Sequence, residues 1–242
     1  TDCLRLRPLS INILKRDTVG IQLKMMAEGS YNAYDSQMNT YLKNKNLLPL
    51  AQPFFDAPWS YMGTETLANV PINMVDWVLI EVRNANEKTE IIEQRAAVLL
   101  SDGTIVDVTD NEAVKCYDLT AGDEYYVSIK MRNHLAIMSK QIMALPNETV
   151  LDCSSPFNVD DGYNLLIAVE NGIYAVPAGD IDGNGVIDDN DIPLYLIDAA
   201  SLNQYLSSDN NLDGNVNSFF AIIVFFIGSQ KHKKKPTGIW PK

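Results

Sequence analysis

The sequence predicts a mainly β chain: an antiparallel β-sandwich over most of its length, followed by a small α module built on two acidic loops. Three observations lead there. Apolar stretches of strand length recur at spacings of about ten residues between 18 and 155, each bounded by turn residues. Past residue 178 that rhythm gives way to two acidic dodecapeptides, each with a glycine at its sixth place. With 46% of its 242 residues hydrophobic, the chain has enough apolar material for one large domain and a small one.

The N-terminal extension, residues 1–17, contains LRLRPLSINILKR (4–16), in which Leu4, Leu6, Ile11 and Ile13 alternate. It is either an edge strand of its own sandwich or a donor strand that completes a sheet in a neighbouring copy. Such a head-to-tail exchange does not close on itself and produces a filament. The sandwich spans residues 18–155. VGIQLKMMAEG (19–29) places Val19, Ile21, Leu23 and Met25 on one face, and VDWVLIEVR (75–83) reads as a strand buried on both faces near its start. QRAAVLL (94–100), Ser101-Asp102-Gly103 and TIVDV (104–108) form a hairpin signature. AVKCY, EYYVSIK, KQIMAL and ETVLDC follow, and the whole run suits an immunoglobulin- or fibronectin-like sandwich better than an alternating α/β fold.

Between the first strand and Trp77 lies a long segment rich in Asn, Pro and aromatic residues, where Pro49, Pro53, Pro58 and Pro71 exclude a long helix. So long a stretch packs through its own side chains or binds something. Either Leu47, Leu48, Phe54, Phe55 and Trp59 plug one end of the sandwich, or Phe54, Phe55, Trp59 and Tyr61 form a platform for carbohydrate or peptide. Residues 156–178 read as a connector with short strands, closed by Pro177 and Gly179.

The first dodecapeptide, DIDGNGVIDDND (180–191), has the spacing of a calcium loop. Ca²⁺ is a hard cation that takes six to eight oxygens, and a glycine at position six permits the sharp turn around it. Asp180, Asp182, Asn184 and Asp188 stand at positions one, three, five and nine, Val186 offers its carbonyl at seven, and Asp191 closes the loop at twelve. Ile187, at eight, is expected to anchor the loop on the module's own core. The second dodecapeptide, DNNLDGNVNSFF (209–220), repeats the pattern with Asp209, Asn211, Asp213, Asn215 and Asn217. Its position twelve is Phe220, so it binds calcium more weakly, through water, or not at all.

Two loops of the form D-x-[DN]-x-[DN]-G, the second starting 29 residues after the first, resemble a dockerin-type module, here residues 179–230. The resemblance implies paired loop–helix units stabilised by Ca²⁺ outside the cell. Positions ten and eleven, which in dockerins help recognise a cohesin, are Asp189 and Asn190 in one loop and Ser218 and Phe219 in the other, an unmatched pair. The order MAEGSY (26–31), LLPLAQPFFDAPWSYMGTE, VDWVLIEVR and EYYVSIKMRNHLAIMS is similar to β-sandwich regions that precede dockerin-like repeats in large secreted bacterial proteins of the adhesin-like kind. That likeness implies secretion and calcium, and brings no catalytic activity with it.

The remaining features set limits. With 19 Lys and Arg against 31 Asp and Glu, a net charge of -12 disfavours nucleic acid. No apolar stretch has the length of a membrane-spanning helix, and the N-terminus lacks the apolar core of a secretion signal; the chain is either cytosolic or a mature secreted form. Cys3, Cys116 and Cys153 show no metal or redox spacing. His134 has no nucleophile beside it, and no carboxylate pair stands out as catalytic, so no enzyme is expected. FFAIIVFFIG (219–228) is too short to cross a bilayer as a helix and must be buried, against the sandwich or in another copy. KHKKK begins the basic tail, 231–242, and Asn147-Glu148-Thr149 is a glycosylation sequon. Together these readings describe a secreted, calcium-stabilised structural or adhesive protein that polymerises or docks on another extracellular protein. The alternative is a dockerin-like or carbohydrate-binding module of a larger extracellular assembly.

Overall fold

A computed structural model describes residues 18–217. The expectations for the extension 1–17, for Phe220, for the apolar run 219–228 and for the basic tail 231–242 lie outside the described residues. In chain order the elements are β1 (Val19–Ile21), β2 (Leu23–Lys24), β3 (Tyr31–Asn32), β4 (Gln37–Met38), α1 (Tyr41–Asn44), β5 (Met74–Asn84), β6 (Ile91–Leu100) and β7 (Thr104–Val106). Then come β8 (Val114–Cys116), β9 (Glu124–Lys130), β10 (Ile137–Met138), β11 (Met143–Ala144), β12 (Leu151–Asp152), α2 (Gly162–Leu165), β13 (Ile167–Glu170), β14 (Ile173–Ala175) and α3 (Asp191–Asp198). The chain is mainly β, as its strand rhythm predicts.

The main sheet has eight strands in the order β10-β9-β5-β6-β7-β2-β12, with β11 also on β9. Its centre is β5, which is buried from Met74 to Arg83. Val, Leu and Ile on both faces account for that, because a central strand covered on two sides needs apolar residues in both registers. The predicted hairpin forms between β6 and β7. Its Gly103 has φ +90°, and a Cβ there would stand 2.6 Å from the Met25 carbonyl oxygen, so only glycine fits this turn.

Two corrections concern pairing. The sheet is not purely antiparallel: β12 runs parallel to β2, with Leu151 beside Leu23. Nor is 19–25 one uninterrupted strand. It splits at Gln22, whose N–H donates to Asn147 Oδ1 at 2.8 Å and whose carbonyl accepts from Asn147 Nδ2 at 2.8 Å. One side chain thus takes the place of a strand partner. Before it, β1 pairs with β8; after it, β2 pairs with β7 and β12. The predicted alternation nonetheless holds, since Val19, Ile21, Leu23 and Met25 are all buried in one core. Asn147 Nδ2 also donates to the Thr149 carbonyl at 2.8 Å, so the acceptor nitrogen of the sequon is committed inside the fold.

The long proline-bearing segment packs by its own side chains. Leu48, Phe54 and Tyr61 are buried, Trp59 is partly so, and Phe55 is exposed. A four-ring platform is therefore excluded. Residues 156–178 carry α2 and the β13–β14 ladder, and then lie along the body: Val176 N–H donates to Met26 O at 2.8 Å, and Leu135 N–H to Pro177 O at 3.0 Å. This path delivers the chain to residue 180 beside Asn133, whose carbonyl accepts from Gly179 N–H at 2.9 Å.

Candidate metal centre

The loop 180–191 brings carboxylates from its two ends together. Asp180, Asp182 and Asp191 each place an oxygen within 4.8 Å of the others, and Asp180 and Asp191 are buried. Glycines make that path possible, with φ +67° at Gly183 and +83° at Gly185. Asp180 accepts the Gly185 N–H on both oxygens, at 3.1 and 2.9 Å. Asp182 Oδ1 accepts Asn184 N–H at 2.9 Å, and Asn184 Oδ1 accepts Val186 N–H at 2.8 Å. At the closing position, Asp191 accepts Ile181 and Asp182 N–H on Oδ1 and Asp188 N–H on Oδ2. Asp188 Oδ1 accepts Asn190 N–H at 2.8 Å in the turn just before the following helix.

Electrostatically the arrangement is unfavourable without a cation. Burial chiefly, reinforced by the nearby Asp182 carboxylate, pushes the Asp191 carboxyl up to about 6 against the pull of three backbone N–H groups. The donors are all oxygens, which suits a hard divalent ion: Asp180, Asp182 and Asp191 are clustered, while Asn184, Asp188 and the Val186 carbonyl belong to the same turn. These residues fit Ca²⁺.

The second loop repeats the backbone and not the charge. Leu212 and Gly214, at positions four and six, have φ +56° and +81°, matching Gly183 and Gly185. Asp209 accepts the Gly214 N–H at 2.7 Å and the Asp213 N–H at 3.1 Å, as a position-one carboxylate should. Asn211 Nδ2 donates to Asp213 Oδ2 at 3.0 Å, Asp213 Oδ1 accepts Asn215 N–H, and Asn215 Oδ1 faces Asn203 N–H; Asn217 ends the described residues. Cations of the chain itself reach this loop. Lys45 Nζ donates to the Asp213 carbonyl at 2.6 Å, and Arg132 acts on Asp209, whose carboxyl burial nevertheless pushes up to about 6.

Both loops are set into the body. Ile187 and Leu212 belong to the main hydrophobic core, which corrects the expectation that Ile187 anchors a core of the module alone. The small separate cluster is Ile181, Tyr195 and Val216. A Cβ on Gly183 would meet Pro58 Cγ at 2.5 Å, and one on Gly214 would meet Leu47 Cδ1 at 2.4 Å, so each loop lies flat against the proline-bearing segment. Behind them a buried polar cluster joins β5 to the chain before the second loop. Asp76 accepts Arg132 Nε at 2.9 Å and Tyr205 O–H at 2.6 Å, Arg132 lies 4.2 Å over the Tyr205 ring and donates to the Leu206 carbonyl, and Asn133 Nδ2 donates to the Asp209 carbonyl at 2.6 Å. Sequence reasoning missed this cluster; the signal available was Asp76 at the apolar start of β5.

The chain matches no family model and no curated protein sequence. Among solved structures, it aligns with a chain from the crystal structure of a type II cohesin–X–dockerin complex, an N-terminal interface mutant from Acetivibrio cellulolyticus. The two are 14% identical, the alignment covers 91% of this chain and 98% of that one, and the TM-score is 0.43, too low to establish a shared fold or partner.

Proposed function

We propose that this chain is a secreted structural or adhesive protein of an extracellular assembly, held in shape by one calcium ion in a dockerin-like loop. The observation that carries the reading is the convergence of Asp180, Asp182 and Asp191 from the first, third and last positions of that loop. Asp180, Asp182, Asn184, Asp188 and Asp191 would hold the ion by side-chain oxygens and Val186 by its carbonyl. Neutralising these carboxylates removes their repulsion and fixes the loop against Pro58 and Trp59, clamping the long irregular segment onto the sheet. Millimolar extracellular calcium saturates even a weak site of this kind, so the ion works by mass action and no sensing is required. The second loop carries no metal in this reading. Lys45 and Arg132 supply positive charge there, and Phe220 offers no closing carboxylate.

Titration of calcium chloride into chelator-treated protein, followed by calorimetry, tests the clamp. Heat saturating at one ion per chain supports it, two ions refute the division between the loops, and no heat refutes the site. Self-association through residues 4–16 is the finer form of the reading. Electron microscopy in calcium and in chelator separates it from the clamp: filaments that fray without calcium support it, and a monodisperse monomer in calcium rejects it while leaving the clamp intact.

A further inference from the structure

A cavity of about 590 Å³ lies where the calcium loop meets the sheet, a size within the usual range for small-molecule sites. Four parts of the chain form it, one of them the stretch after β9 with Met131, His134 and Ala136. Pro58 and Trp59 come from the proline-bearing segment, Glu81, Arg83, Gln94 and Lys130 from the neighbouring strands β5, β6 and β9, and Asp180, Gly183, Asn184 and Gly185 from the loop. Glu81 and Arg83 are fully buried, and with the half-buried Gln94 and Lys130 they make a charged network that the calcium clamp does not use. Glu81 Oε1 accepts Gln94 Nε2 at 3.0 Å and pairs with Lys130 Nζ at 2.6 Å, while its Oε2 accepts the Arg83 guanidinium. Arg83 is further tied to the Lys88 and Thr89 carbonyls at 2.9 and 3.3 Å.

Burying Glu81 and Arg83 together, both fully inaccessible, costs more than packing apolar residues of the same size there. A strand that already carries Met74, Val75, Trp77, Val78, Leu79, Ile80 and Val82 has no need of them for its core. What the network supplies is a fixed polar edge: the inaccessible Glu81 holds the half-buried Gln94 amide and Lys130 ammonium in place, and its carboxylate pairs with both Lys130 and Arg83. Cations already paired in this way do not select an anion. The wall is aromatic and held still, because Trp59 stands edge-on to the buried Phe54 with ring centroids 5.6 Å apart. An aromatic face beside fixed amide and charged side chains matches a ligand with an apolar C–H face and a rim of hydroxyls.

We infer that the cavity between Trp59, the Glu81–Arg83–Gln94–Lys130 network and the 180–185 loop binds a neutral sugar ring, free or at the end of a glycan. The inference rests on the calcium reading in one respect: the loop is one wall, and its Gly183 leaves no room for a side chain against Pro58 and Trp59. Calcium therefore sets the shape of the site.

The test is calorimetry on the calcium-saturated full chain with neutral gluco-, manno-, xylo- and chito-oligosaccharides, each as monosaccharide and as tetramer. At least one is expected to bind. Trp59→Ala and Gln94→Ala are each expected to weaken it about tenfold or more, the loss typical of truncating an anchor. Phe55→Ala, exposed and outside the cavity, is expected to leave it unchanged, and equal melting temperatures confirm that each variant is folded. Monosaccharide binding identifies a free-sugar site, and tetramer binding alone identifies a chain-end site. The inference is overturned if no sugar binds at about 10 mM, if Trp59→Ala binds as well as the parent, or if charged sugars bind in preference. The titration with calcium chloride alone decides the metal reading separately.

Discussion

The substitution Asp180→Asn separates a metal ligand from a merely structural aspartate, because the two roles predict opposite signs with and without calcium. In the parent protein, calcium at a hundred times its dissociation constant adds about 2.7 kcal/mol. For a chain of this size that raises the melting temperature by roughly 5–11 °C. The whole transition should move, since Ile187 ties the loop to the main core. The asparagine of the variant keeps one oxygen for the Gly185 N–H, which in the parent reaches Asp180 at 2.9 and 3.1 Å, but loses a charge and a ligand atom. Altering even a group behind the ligands weakens metal sites about 10–100-fold, and a direct ligand should reach the upper end. A hundredfold loss leaves about 0.4 kcal/mol, or about 1 °C, at the same calcium concentration. In chelator the sign reverses. Asp180, Asp182 and Asp191 crowd within 4.8 Å, so removing one charge relieves repulsion, and the variant should melt at or above the metal-free parent. Scanning calorimetry in calcium and in chelator reads all four values. A parent indifferent to calcium, a variant that responds as the parent does, or a metal-free variant several degrees less stable would each refute the reasoning.

Ile187→Ala should cost roughly 2–5 kcal/mol in urea denaturation, in calcium and in chelator alike, because the side chain is buried in the main core; a loss under about 1 kcal/mol would place it in a peripheral cluster. Asp76→Ala should cost about 3–5 kcal/mol by leaving the Arg132 guanidinium buried and unpaired, and Tyr205→Phe about 1 kcal/mol for one lost hydrogen bond. Equal effects of the two would mean that the ion pair is not the core of the cluster. Burial pushes the Cys153 thiol up to about 12 and the Cys116 thiol higher still, so neither should react with iodoacetamide at pH 8 until the protein unfolds, as read by peptide mass spectrometry. Expression in a host with N-glycosylation machinery should leave folded Asn147 unmodified, since its amide hydrogens serve the Gln22 and Thr149 carbonyls; a glycan there in native protein would contradict the split of the first strand.

What the sequence makes legible here is local, and what it hides is long-range. The apolar alternation of 19–25, the hairpin around Gly103 and the left-handed turns at the sixth loop positions depend on neighbours within a few residues, and each is readable. The division of the first strand is not, because it depends on a side chain 125 residues away. The first acidic loop divides along the same line. Its glycine and carboxylate spacing is the ground for expecting a cation, whereas nothing in residues 180–191 announces that Gly183 will press on Pro58 or that Ile187 will join the main core. The charges of β5 are the one long-range clue in the chain. Asp76, Glu81 and Arg83 stand in a strand that is otherwise apolar on both faces, and all three are buried. Charges in such a strand must meet partners brought from elsewhere, or the sheet would not hold them. Asp76 meets Arg132 and Tyr205, on the side of the second loop, while Glu81 and Arg83 meet Gln94 and Lys130, on the side of the first. The strand thus carries a polar junction on the side of the second loop, and on the side of the first its charges face the loop across the cavity. That placement ties the second loop to the sheet by polar groups and leaves the first to dock through Ile187 in the core and Gly183 against Pro58, with the cavity between it and the charges of β5.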